Sequence, residues 1–380
     1  MANFDLKFFE MKKALVNAKI FDGDQFLEAN SIMLDGQVIE GITDKIFAHE
    51  IDAIDCKGHI LCPGFVDLQV YGGGGSLFSN DLSVESLNKI ADALVNNGTT
   101  SFFITLATNS TEVFKKAISI VKQCSHPAVK GIHFEGPFIN PKKRGAHLEK
   151  YIHPPSIEEL KELLDSADGI IKMLTIAPEQ CDKKVIDFLK RRNIVLSAGH
   201  SNATFEQAND GFNNGITTVT HLFNAMSPFH HRDIGLPGAT FLSKNVYASI
   251  ICDGIHTDYN AVKIAKALMG DRLFLITDAV EEATTGDYLH IKKEDRFVLP
   301  DGTLSGSALT MLNAVKNYMN HVDLNIEKAL KMATLFPAKV GKITKAGKLG
   351  KGNSADIICL TDQLELKFVM SNGSIINQEI

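Results

Sequence analysis

The tightest constraint on the fold is a recurrence in the middle of the chain. Eight apolar runs of buried-strand type follow one another: FVDLQV, TSFFITLA, VKGIHFEG, IKMLTIAPE, IVLSAGHS, TTVTHLFNA, YASIICDGIH and LFLITDA. Each closes on polar residues, and helix-period segments lie between them. In Ser83–Asn97, Leu87, Ile90, Ala91 and Leu94 fall at i, i+3, i+4 and i+7, one apolar face. Thr111–Cys124 repeats the pattern with Phe114, Ala117, Ile118 and Val121, and Ile157–Leu164 and Asp258–Met269 are similar. Eight strand–helix repeats predict an α/β fold of (β/α)8 TIM-barrel type, with its chemistry at the C-terminal ends of the strands. The alternative is a doubly wound open sheet, but no G-x-G-x-x-G follows an early strand.

A chain of 380 residues exceeds what a barrel of this kind needs. The surplus reads as β-structure at both ends: KALVNAKIF, SIMLDGQVIEGI and GHILCPGF near the start, ADIICLT and LKFVMSNGSIINQEI near the finish, with turn signals at Asp22-Gly23 and Asp35-Gly36. Residues 1–62 and 346–380 are therefore expected to form one small β-sandwich, with the barrel, 63–345, inserted between them. The N-terminus lacks the pattern of a secretory leader, and Met11 is an alternative start to Met1. Six cysteines without a C-x-x-C pair read as reduced thiols, which points to the cytoplasm. A net charge of −6 argues against nucleic acid or an anionic membrane as partner.

The polar residues closing the runs carry the chemical information. Runs one, three, five, six, seven and eight end in Gln69, Glu135, His200, His221, His256 and Asp278. Any one of thirteen histidines is more simply a hydrogen-bonded core or surface residue. Three on separate strand ends of one predicted face are harder to obtain by chance. Glu135, His200 and His221 together form a carboxylate–imidazole set suited to zinc or a similar divalent ion, with a position left open for water. Asp278 is placed to act as general base on such a water; its bland alternative is a structural carboxylate capping a turn.

The motifs HFEGPFIN, GHSNAT, THLFNAMSP, DGIHTDY, LITDA and LSGSALTM, in this order, resemble the amidohydrolase superfamily and, within it, the deacetylases of N-acetylated amino-sugar phosphates. The resemblance spans nearly the whole chain. It implies removal of acetate from N-acetyl-D-glucosamine 6-phosphate, with Glu135, His200 and His221 as metal ligands and Asp278 as catalytic acid/base. It also implies that His147, in KKRGAH, meets the substrate near its scissile group. Ala146, Asn224, Ala225, His256 and the Leu304–Ser305–Gly306 segment become substrate contacts. Arg232, in HHRDIGLPG, becomes a phosphate ligand reaching across a homodimer interface. Lys142, Lys143 and Arg144 read instead as a solvated loop.

Zinc suits the ligand set, and iron, cobalt or manganese would also fit it. One ion per subunit is expected. Much of the superfamily carries H-x-H at the end of strand one, where this chain has Gln69 and Tyr71, neither a good zinc ligand; in related one-metal deacetylases the second position is often asparagine, so Tyr71 is a departure. Two rival readings are another amidohydrolase, which would want H-x-H and a strand-four lysine, and a non-catalytic sugar-phosphate-binding barrel, which would have lost ligands.

Overall fold

The computed structural model describes residues 12–44 and 52–378; Met1 and Met11 lie outside them. The eight runs form β1 (Phe65–Val70), β2 (Thr99–Ala107), β3 (Val129–Glu135), β4 (Ile171–Ile176), β5 (Val195–Ala198), β6 (Thr218–Val219), β7 (Tyr247–Ile251) and β8 (Leu273–Ile276). They pair in parallel and in chain order within one sheet. A bridge between Val70 and Ala279 brings the first strand against the end of the last. There, the Asp278 N–H donates to the Gln69 carbonyl and the Tyr71 N–H to the Ala279 carbonyl, each at 2.9 Å. The result is a (β/α)8 barrel. Its strands read as continuous apolar runs because they are buried on both faces, by the barrel interior and by the helices.

The helices outside it are α1 (Val84–Asn96), α2 (Thr111–Gln123), α3 (Ile157–Asp165), α4 (Lys183–Arg191), α5 (Phe205–Asn214), α6 (Gly235–Leu242), α7 (Tyr259–Met269), α8 (Met311–His321), α9 (Ile326–Ala333) and α10 (Leu335–Val340). Most start at a residue whose side-chain oxygen accepts an orphan N–H of the first turn: Ser83, Ser110, Ser156, Asp182, Thr204, Asp258 and Thr310. The apolar face predicted for α2 is buried whole; in α1, Leu87, Ile90 and Ala91 are buried, while Leu94 packs at the edge of the core.

Both ends of the chain build the second body. Lys13–Val16, Ser31–Asp35, Val38–Thr43 and Asp52–Asp55 make a four-stranded sheet. Lys19–Ile20 and Ile60–Pro63 join Ile357–Leu360, Leu366–Ser371 and Ser374–Gln378 in a five-stranded one. Leu15, Ile32, Leu34 and Ile39 of the first sheet share a core with Leu61, Ile357, Cys359, Phe368 and Met370 of the second. This apolar layer explains why the two termini pair.

Three local features differ from the sequence expectation or add to it. β6 keeps only two residues of its long apolar run, because His221, Phe223 and Ala225 turn the backbone to positive φ (33°, 79° and 48°). The glycine run after β1 is a small hairpin, Gly72–Gly73 against Ser76–Leu77, turned through Gly74 and Gly75 at φ 61° and 77°. After β8, an unforeseen three-stranded sheet (Ile291–Lys293, Arg296–Val298, Leu304–Ser307) folds back over the barrel mouth.

Candidate metal centre

Glu135 is the last residue of β3, and His200, His221 and Asp278 each lie two residues beyond a barrel strand. These last three adopt left-handed backbone conformations, φ 46°, 33° and 55°. Non-glycine residues avoid this region, at a cost of about 1–3 kcal/mol each. The surrounding barrel holds them there, and the turn swings each side chain off the strand and into the mouth.

One oxygen of Glu135, Oε1, lies 2.9 Å from His221 Nε2 and 3.3 Å from His200 Nε2. The two imidazole nitrogens are 3.1 Å apart. His200 Nδ1 lies 2.9 Å from the Lys143 carbonyl, which can only accept, so its proton sits on Nδ1 and its Nε2 lone pair faces inward. Two imidazole nitrogens and a carboxylate oxygen converging on one point repel unless something positive sits between them. The donor atoms lie within 4.8 Å of one another, and all three residues are buried. The chemistry of the set thus fits a divalent cation with borderline N/O preference.

Electrostatics support the same centre. Burial alone would raise the Glu135 carboxyl, but His200, His147 and His221 hold it well below the usual carboxylate range. Asp278 is driven well above its ordinary value by burial and by the charge of Glu135, against the lowering effect of a hydrogen bond from Gln69. The Gln69 amide lies 3.0 Å from Glu135 Oε1 and 2.6 Å from Asp278 Oδ1, and so ties the two carboxylates together. Burial also pushes His147 down to about 4. Its Nδ1 accepts from the Thr108 N–H at 3.3 Å, so the neutral ring carries its proton on Nε2, 3.2 Å from Glu135 Oε2.

These groups line a pocket of about 350 Å³. Ala146, His147, Asn224, Ala225, His256, Leu304, Ser305, Gly306 and Asp278 all border it, beside the Glu135–His200–His221 set. His256 Nδ1 is bound to Asp253 at 2.6 Å, and its buried Nε2 has no partner among the described residues. Arg232 is the exception. It is exposed, lies outside the pocket lining of this chain, and has its Nη1 3.1 Å from His231 Nε2. Lys142, exposed, and Lys143, half-buried, read from sequence as a solvated loop, also border the pocket.

Sequence reasoning missed several residues of the wall. Tyr288 and His290 reach the pocket from the segment after β8, and Thr108 fixes His147 from the end of β2. Burial lowers His290 to about 4, and Ser305 Oγ lies 3.0 Å from its Nδ1. The one available signal was the cluster DYLH, an aromatic and a histidine within a polar stretch.

Comparisons with known proteins agree on this architecture. A family model for the amidohydrolase family matches residues 60–376. An N-acetylglucosamine-6-phosphate deacetylase of Haemophilus influenzae is 33% identical over 96% of this chain and 99% of its own length. The human protein of that name is 33% identical over 95% of each chain. Among solved structures, the corresponding deacetylase of Pasteurella multocida superposes with a TM-score of 0.91 at 32% identity, covering 96% of this chain and 99% of that one. An aspartate-to-alanine mutant of the Mycobacterium smegmatis enzyme, in complex with N-acetyl-D-glucosamine 6-phosphate, gives 0.89 at 26% identity, covering 96% and 99%.

Proposed function

The chain belongs to the N-acetylglucosamine-6-phosphate deacetylases of the amidohydrolase family, and from that membership we propose that it hydrolyses N-acetyl-D-glucosamine 6-phosphate to acetate and D-glucosamine 6-phosphate. The observation that carries this reading is the convergence of Glu135, His200 and His221 in a pocket that also holds Asp278. In the proposal the first three hold one divalent ion, zinc by preference. The chemistry such an ion supplies is twofold: it acidifies water and polarises a carbonyl.

The chain's own groups do the rest. Asp278 takes a proton from the attacking water and returns it to the departing amine nitrogen. Its raised affinity for a proton, a consequence of burial, suits it to hold that proton between the two steps. His147 stands on the same rim, and its Nε2–H, which lies 3.2 Å from Glu135 Oε2, would pass to the acetyl oxygen as charge develops there. Asn224, Ala225, His256, Ala146 and Leu304–Gly306 border the remaining space and take the sugar.

The phosphate needs a planar cationic fork, and Arg232 is assigned that role from the second subunit of a homodimer. Its position on the exposed 228–233 loop supports this. So does exposed apolar surface: Phe229 of the same loop, and Leu242, Ile264 and Leu268, are each more than half exposed. Residues 1–62 and 346–380 are taken as the accessory sandwich and 63–345 as the catalytic barrel. All six cysteines are unpaired, which supports a reducing compartment, the cytoplasm. Among the described residues no helix is long and apolar enough to cross a membrane.

Stripping the protein with a chelator tests the reading. Acetate release should stop and return when zinc is added back. Full activity in protein shown to be free of metal would exclude the mechanism.

A further inference from the structure

We infer that Tyr71 is a positioning residue whose hydroxyl caps one oxygen of Glu135, so that this carboxylate offers a metal ion a single oxygen. The inference rests on the reading above that an ion is held by Glu135, His200 and His221.

The two oxygens of Glu135 have separate surroundings. Oε1 faces His221 Nε2, His200 Nε2 and the Gln69 amide. Oε2 faces the Tyr71 hydroxyl and His147 Nε2. An ionised carboxylate only accepts hydrogen bonds, so Tyr71 is the donor, and a hydroxyl donating to a charged oxygen makes one of the stronger hydrogen bonds.

The hydroxyl is aimed by packing. The Tyr71 ring is buried among Leu77, Ala107, Val280, Ala283, Tyr288 and Phe297, a small core separate from the main one. Its N–H donates to the Ala279 carbonyl at 2.9 Å, and its carbonyl accepts from the Phe78 N–H at 3.0 Å. None of these contacts involves Glu135, His200 or His221, so the donor is in place whether or not an ion is bound. A carboxylate that bridges two ions must give an oxygen to each; with Oε2 capped, Glu135 is suited to one. The simpler account makes Tyr71 a core residue whose hydroxyl merely finds an acceptor. The two accounts part when the hydroxyl is removed and the ring is kept.

Tyr71→Phe does that. The full-length variant should still take up one zinc per chain, but about 10- to 100-fold more weakly in chelator competition, the usual cost of losing a partner that orients a ligand. The visible spectrum of its cobalt-substituted form should depart from the parent's, and kcat should fall with KM little changed. Zinc affinity and a cobalt spectrum indistinguishable from the parent's would overturn the inference while leaving the functional reading intact. A parent protein that takes up no ion would overturn both.

Discussion

Two buried aspartates near the seam between β1 and β8, Asp67 and Asp278, show how residue type alone underdetermines role. Asp278 stands at the pocket, and its replacement by Asn should cut acetate release by about 10²- to 10⁴-fold while the metal content stays at the parent level. Asp67 lies in the barrel interior, where it accepts hydrogen bonds from the Thr277 hydroxyl at 2.5 Å and the Gln69 N–H at 3.1 Å. Burial raises its pKa from 3.8 to about 7, against the lowering effect of those bonds. The folded state thus favours the protonated form. Its contribution to stability is complete below the unfolded value and is lost as pH rises through the folded one. Asp67→Asn, neutral throughout, should therefore lose less stability than the parent between about pH 4 and pH 7 in urea unfolding. The same pH dependence in both proteins would count against the assignment. From sequence, Glu135, His200, His221 and Asp278 were legible because each closes an apolar run. The Thr108–His147 contact and the Gln69 bridge were not, because they depend on which strand ends face one another across the barrel.

At the scale of elements, the alternation of apolar runs and helical faces made the barrel legible. The places where it misled are those where function interrupts a strand. β6 is short because His221 must leave the sheet, a backbone event that hydrophobicity does not encode. The sheet after β8 escaped notice because its strands are three or four residues long and mostly polar. The β5 end makes a sharper prediction. A Cβ on Gly199 would come within 2.7 Å of Thr175 Cγ2 and 2.8 Å of Thr220 Cβ. Both threonines are held in a buried hydroxyl chain running from His133 Nε2 through Thr175 and Thr220 to Ser197. They cannot step aside cheaply, so Gly199→Ala should destabilise the fold by about 1–3 kcal/mol in urea unfolding. A midpoint equal to the parent's would mean that the barrel interior is looser than its packing indicates.

For the whole molecule, the account requires a site completed by two copies of the chain. Light scattering should give the mass of a dimer. Arg232→Ala and Asp278→Asn should each be nearly inactive alone, yet regain activity when unfolded together and refolded, because one site of the mixed dimer keeps its own Asp278 and the Arg232 of the partner subunit. No recovery, with mixed dimers demonstrably present, would return Arg232 to the surface loop it occupies in this chain. None of this was legible in composition or periodicity: that Phe229, Leu242, Ile264 and Leu268 stay exposed is settled only by the fold. The most direct test of the central claim is the rate of acetate release from N-acetyl-D-glucosamine 6-phosphate by the zinc-loaded protein, with N-acetyl-D-glucosamine lacking the phosphate as control. The account predicts equimolar acetate and glucosamine 6-phosphate, with the unphosphorylated sugar turned over far more slowly. A zinc-loaded, folded protein that releases acetate from neither would contradict it.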